Sequence, residues 1–236
     1  MNQGLKKLAV FDIDGTIFRS SLLIELVDAL IEAGIFKPGI AKHYEQDRKK
    51  WLDRSGDYEA YINHVVAAFM NNIKGVRYRD FLRVADQVVD LHRNRVYRFT
   101  RDLVCDLKKR GYYLVAVSHS PKGIVEPFAK RLGFHKTYGI LYEVDPKTRR
   151  FNGKMLYAHL IAGKANVVKR VLEKERATLR GSIGVGDTES DIPFLRLVDR
   201  PICFNPNRKL LREARRRGWE VVVERKDVVY KIKKEK

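Results

Sequence analysis

The chain has 236 residues, with 48 lysines and arginines against 29 aspartates and glutamates, and a formal net charge of +19. Its 44% hydrophobic content excludes wholesale disorder, and a chain this long buries a core without disulfide staples. No apolar run approaches the roughly 20 residues that span a bilayer, so no membrane partner is expected. The length fits one large domain or a domain carrying an insertion. Met1 to Lys7 lacks the apolar stretch of a secretory signal, and Cys105 and Cys203 read as buried, reduced thiols. Both features point to the cytoplasm.

Leu8 to Phe11 is an apolar run long enough for a buried strand, and it stops at Asp12-Ile13-Asp14-Gly15-Thr16. From Ser20 to about Tyr97 the rhythm is helical. Ser20 or Ser21 is a suitable N-cap, and Leu22, Leu23, Leu26, Val27 and Leu30 follow at helical spacing before Gly34. Further helices are expected near Pro38–Leu52, Tyr58–Met70 and Tyr78–Leu91. A helix around Phe99–Arg110 precedes the strand Tyr112–Val117, which Ser118-His119-Ser120-Pro121 should break. A helix over Gly123–Leu132 comes next, then a hairpin of Tyr138–Val144 and Phe151–Leu156, then a helix from near Lys164. Ser182–Gly186, Pro201–Phe204 and Glu220–Val223 are three more strands, the last two separated by a helix over Arg208–Arg217. Lys231 to Lys236 reads as a charged, frayed tail. Strand–helix alternation of this kind predicts an α/β fold, a doubly wound, mostly parallel Rossmann-like sheet.

Three polar clusters each follow a strand: Asp12 with Asp14, Ser118, and Asp187 with Asp191. Open α/β sheets bind ligands outside the carboxyl ends of their strands, so this placement gathers the clusters at one edge. Four carboxylates cannot converge uncompensated, because like charges raise one another's pKa. A hard divalent cation with oxygen ligands, Mg²⁺ by pattern, resolves the conflict. A calcium loop is disfavoured, since Gly15 and Leu23 do not match its glycine and closing glutamate offsets.

Phe11-Asp12-Ile13-Asp14-Gly15-Thr16, Val117-Ser118, Lys164 and Gly186-Asp187-Thr188-Glu189-Ser190-Asp191 resemble, in order and spacing, the four motifs of the haloacid dehalogenase superfamily. Val117-Ser118-His119-Ser120-Pro121 and Gly163-Lys164-Ala165 are similar to its phosphoserine-phosphatase-like branch, subfamily IB. The resemblance implies a discontinuous core, residues 1–17 and 98–236, with an inserted all-helical cap over 18–97. It implies a Mg²⁺-dependent phosphatase of the cytoplasm acting on a small phosphorylated substrate. Asp12 would be the nucleophile, forming an aspartyl-phosphate, and Asp14 the general acid and base. Asp12, the backbone carbonyl of Asp14, and Asp187 would hold the metal, with Asp191 orienting its waters or Lys164. Ser118, His119 and Lys164 would contact the phosphate, Ser118 at a helix N-terminus. His119 stands where a smaller residue is usual, and Ser21 stands where phosphoserine phosphatases carry a cap glutamate, with Glu25 one turn on. Arg48, Arg54, Arg77 and Arg79 are the candidate cap arginines. Phosphoserine is thus a doubtful substrate.

Phosphoryl transfer to an alcohol would use the same residues. The charge raises a further alternative, a nucleic-acid-binding protein or a phosphatase of nucleic-acid ends. Residues 18–97 carry a net of only +2 and residues 98–236 a net of +17. The excess therefore avoids the segment expected to choose the substrate, which disfavours a nucleic-acid substrate.

Overall fold

The computed structural model describes residues 4–232. Eight strands form one sheet in the order β4-β3-β2-β1-β5-β6-β7-β8. They are β1 (Lys6–Asp12), β2 (Tyr113–Pro121), β3 (Lys136–Val144), β4 (Phe151–Leu156), β5 (Ala177–Gly186), β6 (Arg200–Phe204), β7 (Glu220–Arg225) and β8 (Val228–Ile232). The pairs from β3 across to β7 are parallel; β4 and β8 are antiparallel edges. β1 pairs with β2 on one side and β5 on the other, so the strand order reverses at β1. This is the topological switch point where open sheets bind ligands.

Alternate strand residues serve two cores. Ala9 and Phe11, Leu114 and Ala116, Ile183 and Val185 face one side; Leu8 and Val10, Val115 and Val117, and Cys203 face the other. That double burial is why these strands read as continuous apolar runs. On the first side lie α1 (Leu22–Glu32), α2 (Lys42–Leu52), α3 (Tyr58–Asn72), α4 (Tyr78–His92), α5 (Arg98–Lys109) and α6 (Lys122–Leu132). α7 (Ala158–Ala162), α8 (Lys164–Lys174), α9 (Ile192–Leu195) and α10 (Arg208–Arg217) supply the second. No helix among the described residues is long and apolar enough to cross a membrane.

The four helices between β1 and α5 add no strand to the sheet. The two chain segments that connect them to the rest run side by side: Phe18 bridges Val96, and Tyr97 N donates to Ile17 O at 2.9 Å. Phe18, fully buried, packs edge-on against Phe128 of α6 and against His92 at the end of α4. Glu25 of α1 accepts from Arg95 at 2.8 Å and pairs with His92 at 3.2 Å, closing the same junction.

Several local expectations differ from the structure. Pro38–Ala41 is a separate 3-10 turn ahead of α2. β2 continues through Ser118–Pro121, because its register with β3 shifts after Val117 and Pro121 sits at the strand end, where a missing donor costs little. Lys231 and Ile232 belong to β8, an edge strand that takes its ladder from β7 and needs no buried face; residues 233–236 lie outside the described residues. Cys105 is exposed, not buried, since α5 turns Thr100, Val104 and Leu107 inward and leaves Cys105 on the opposite face; Cys203 is buried.

Phe18→Ala should cost about 3–5 kcal/mol of stability, as for other buried aromatics, read as a lowered urea midpoint. Leu91→Ala, at a position 79% exposed, should stay within about 0.5 kcal/mol.

Candidate active site

β1 ends at Asp12 and the chain turns at once through Asp14-Gly15-Thr16. Gly15 has φ +79°, and a Cβ there would collide with Asp187 Oδ2. Only glycine lets this turn approach the loop after β5 so closely. Gly186 repeats the device, since its Cβ would stand 2.5 Å from Asp191 Oδ2.

Lys164 begins α8 and is buried. Its Nζ donates to Asp12 Oδ1 and to Asp191 Oδ1, both at 2.5 Å. Asp191 Oδ2 accepts from the backbone N–H groups of Asp187 at 2.9 Å and Thr188 at 3.1 Å. Both Asp191 oxygens are therefore engaged, and its carboxylate braces the lysine and the loop. Thr16 Oγ1 stands 3.2 Å from Asp12 Oδ2 and 3.0 Å from Asp187 Oδ1, sharing its one proton between them and tying the two strand ends together.

Asp14 faces α1 and the β2 end. Its carboxylate accepts from Leu22 N at 2.5 Å, from Ser118 Oγ, and from Ser120 Oγ at 3.0 Å. Ser120 Oγ also accepts from Leu23 N at 3.1 Å. Asp14 and Ser120 thus cap the first turn of α1, while Ser21 holds the N-cap position without a side-chain hydrogen bond. His119 is exposed, with Nε2 3.2 Å from Ile161 O. Partial desolvation and the Lys164 charge lower its pKa, which favours the neutral ring donating to that carbonyl.

The electrostatics follow from burial. Desolvation pushes the Asp12 carboxyl from its ordinary 3.8 up to about 7; Lys164 opposes the rise, and Asp191 and Asp14 add to it. Asp187 is likewise pushed well above the usual range by desolvation and by the charges of Asp12 and Asp191. Desolvation alone would lower the Lys164 pKa, but Asp12 and Asp191 outweigh it and keep the ammonium charged. Asp12, Asp187 and Asp191 each offer an oxygen within 4.8 Å of the others. Asp187 Oδ2 accepts no hydrogen bond among the described residues. An all-oxygen donor set in which burial disfavours the charged forms of Asp12 and Asp187 fits a hard divalent cation.

From the helical side, Tyr58 opens α3 over these carboxylates. Its phenol is pushed above its usual range by burial and by the charges of Asp14, Asp187 and Asp12. Lys209, at the start of α10, pairs with Glu59 at 3.1 Å and Glu189 at 2.7 Å, joining the start of α3 to the Asp187–Asp191 loop. Thr16, Ser120 and Tyr58 were not marked as site residues by their spacing. For Ser120 the signal was available: two residues past Ser118 on a strand is the same face.

A family model described as haloacid dehalogenase-like hydrolase matches residues 9–196. The chain belongs to this family. A phosphoserine phosphatase of Mycobacterium tuberculosis (strain ATCC 25618 / H37Rv) is 25% identical over 224 residues, covering 92% of this chain and 70% of that protein. A histidinol-phosphatase of Neisseria meningitidis serogroup C is 24% identical over 227 residues, covering 92% and 99%. A solved structure, a phospho-aspartyl intermediate analogue of phosphoserine phosphatase, superposes with a TM-score of 0.62 at 18% identity, over 94% of this chain and 95% of that one. This hydrolase is thus phosphoserine-phosphatase-like in fold and an enzyme of the phosphatase type.

Two outcomes are expected. The folded protein holds the Asp12 proton more tightly than the unfolded chain, so that group's contribution to stability falls as pH rises from 3.8 through about 7. Added MgCl₂ should therefore raise the melting temperature more at pH 8 than at pH 6; an equal or smaller rise at pH 8 contradicts the assignment. Lys164→Ala strands two buried carboxylates and should cost about 3–5 kcal/mol, more at pH 8 than at pH 5, by urea unfolding at both pH values.

Proposed function

We propose that the chain is a Mg²⁺-dependent phosphomonoesterase that hydrolyses a small phosphorylated metabolite through an aspartyl-phosphate on Asp12, with residues 18–97 as a cap over residues 1–17 and 98–236. The observation that carries this reading is the Lys164 ammonium fixed between buried Asp12 and Asp191, with Asp14 held apart by Ser118 and Ser120. This supports a reading in which one carboxylate attacks and a second, separately held, transfers the proton.

Asp12 attacks phosphorus and the ester P–O bond breaks as the new P–O bond forms. Asp14 gives its proton to the leaving alkoxide, then takes one from the water that hydrolyses the acyl phosphate, releasing inorganic phosphate. The serine hydroxyls suit both states of Asp14, since each donates to a carboxylate and can accept from a carboxylic acid. Lys164 offsets charge on Asp12 and the transferring group. Ser118 and His119 stand at the β2 end as phosphate contacts. Mg²⁺ would be held by Asp12, the Asp14 backbone carbonyl and Asp187, and would neutralise phosphoryl charge.

The relatives named for phosphoserine and histidinol phosphate support a small phosphorylated substrate. Phosphoserine itself is disfavoured by Ser21, and Glu25 is already committed to Ser20, His92 and Arg95. Arg48 pairs with Asp28. Tyr58, which feels the charges of Asp14, Asp187 and Asp12, is the cap side chain we assign to the leaving group.

The test is phosphate release from p-nitrophenyl phosphate and a panel of phosphorylated metabolites, with MgCl₂ or EDTA. Asp12→Asn should abolish turnover and labelling of the protein by ³²P-substrate, and Asp14→Asn should slow turnover about 10²–10⁴-fold. Metal-independent turnover, or an Asp12→Asn variant as active as the parent, would refute the reading.

A further inference from the structure

α10 carries six cations and one acid in ten residues, Arg208-Lys209-Leu210-Leu211-Arg212-Glu213-Ala214-Arg215-Arg216-Arg217. Leu210 and Ala214 turn inward. Arg208, Arg212 and Arg215 follow at i, i+4 and i+7, a single stripe on the outward face, and all three are exposed. The one acid cannot serve them. Glu213 is taken by Arg196 at 2.7 Å, Arg216 at 2.8 Å and Arg217 at 2.5 Å, and Lys209 is taken by Glu59 and Glu189. Arg208, Arg212 and Arg215 have no ion-pair partner among the described residues. The helix bears this arrangement at a cost. Its first turn holds cations and no acid, against the macrodipole, and Arg208 and Arg212 repel at i, i+4.

The stripe has direction. Asn207, capping α10, donates its N–H to Asp187 O at 2.9 Å, so Arg208 stands near the catalytic edge. Ten residues later, roughly 15 Å along the axis, the helix reaches the opposite edge, where β6 and β7 begin. There a cleft of about 390 Å³ is lined by Arg196, Asp199, Arg200, Arg217, Trp219 and Glu220, with Arg200 paired to Glu220 at 2.7 Å. The Arg217 guanidinium sits 5.6 Å from the Trp219 ring centre.

We propose that the outward face of α10 and the Trp219 cleft form a binding site for single-stranded nucleic acid, separate from the catalytic carboxylates. Five of the six α10 cations are arginine, whose planar fork grips phosphate and stacks on bases. Trp219, half-buried against the second core, carries the Arg217 guanidinium over its ring, and that planar guanidinium, held by the indole, is the surface offered to an unpaired base. A lipid surface fits less well, because α10 exposes no large apolar side chain to enter a bilayer. The site does not depend on the phosphatase reading, and Asp12→Asn should bind as the parent does.

The test is fluorescence anisotropy with a labelled 20-nucleotide single-stranded RNA of mixed sequence. If about four phosphates are neutralised, binding should weaken about 50-fold between 50 and 200 mM KCl. Arg208→Glu/Arg212→Glu/Arg215→Glu should weaken it at least about tenfold at 50 mM, and Trp219→Ala about fivefold or more. The charge-matched control Lys42→Glu/Lys49→Glu/Lys50→Glu, on exposed positions of α2, should leave it within about twofold. Unchanged melting temperatures establish that each variant is folded. Absence of binding at 50 mM KCl, an equal loss in the α2 control, or tighter binding to phosphatidylserine vesicles than to RNA would overturn the proposal. Full binding by a folded Trp219→Ala variant would overturn the cleft's part in it.

Discussion

A buried ammonium between two buried carboxylates is the constraint on which the carboxylate-bearing edge of the sheet depends. Lys164, Asp12 and Asp191 are each at least 95% shielded from solvent, and charges taken so far out of water are tolerated only when paired and fully hydrogen-bonded. The pairing imposes the surrounding geometry. α8 must begin where its first side chain can reach both strand ends, and the loop after β5 must fold back so that Asp191 can accept two backbone N–H groups. Gly15 and Gly186 make room for that closeness, and Thr16 links Asp12 to Asp187, the carboxylate that the lysine does not hold. Among the described residues no buried side-chain polar atom lacks a partner, so the cluster is satisfied although its carboxyls remain strained electrostatically.

Asp14 belongs to a different network, and the separation is chemically useful. Its partners are two hydroxyls and the N–H of Leu22. The same carboxylate caps α1, and Ser120 caps the next N–H. The carboxylate proposed for proton transfer and the start of the helical segment therefore share hydrogen bonds. Displacement of α1 must change the surroundings of Asp14, and Lys209 ties α3 to the Asp187 loop from the other side. The helical segment is coupled to the catalytic edge at two points, one through a helix cap and one through an ion-pair bridge.

The parts of the fold legible in the sequence are those set by local pattern. Val10-Phe11 ahead of Asp12, and Val115-Ala116-Val117 ahead of Ser118, are apolar runs with both faces buried, and such runs announce central parallel strands. Arg208–Arg217 was bounded correctly because Asn207 and Gly218 mark its ends. What escaped depends on partners distant in sequence. Nothing near Ser21 says that Asp14 and Ser120 will cap α1 in its place. Nothing in Val228–Ile232 says that β7 will supply its ladder. Cys105 was misplaced because one helical position, 100° round from Val104, decides its exposure. The four carboxylates and Ser118 were legible as a set because strand ends converge, and Lys164 and His119 joined them only through the motifs that resemble the family. Which group touches which, Ser118 on Asp14 and His119 on Ile161, was not, because that is fixed by side-chain packing across five elements.

The distribution of charge completes the physical picture. A protein of net +19 holds at its centre a cluster with more carboxylates than cations. The excess must lie elsewhere, and much of it lies on α10 and its surroundings. In water at physiological ionic strength such fields fade within about 8 Å, so α10 acts on what touches or nearly touches it. Its arginines cannot tune Asp12 from the far end of the helix; Lys164, buried and in contact, does that. Two anion-handling regions therefore coexist with little interference. One is desolvated and specific, where each charge is bound to a named partner. The other is wet and additive, where the arginines act by number and spacing. Only Lys209, at the end of α10 nearest the catalytic edge, is drawn into the first region, and there it serves as a fastener between Glu59 and Glu189.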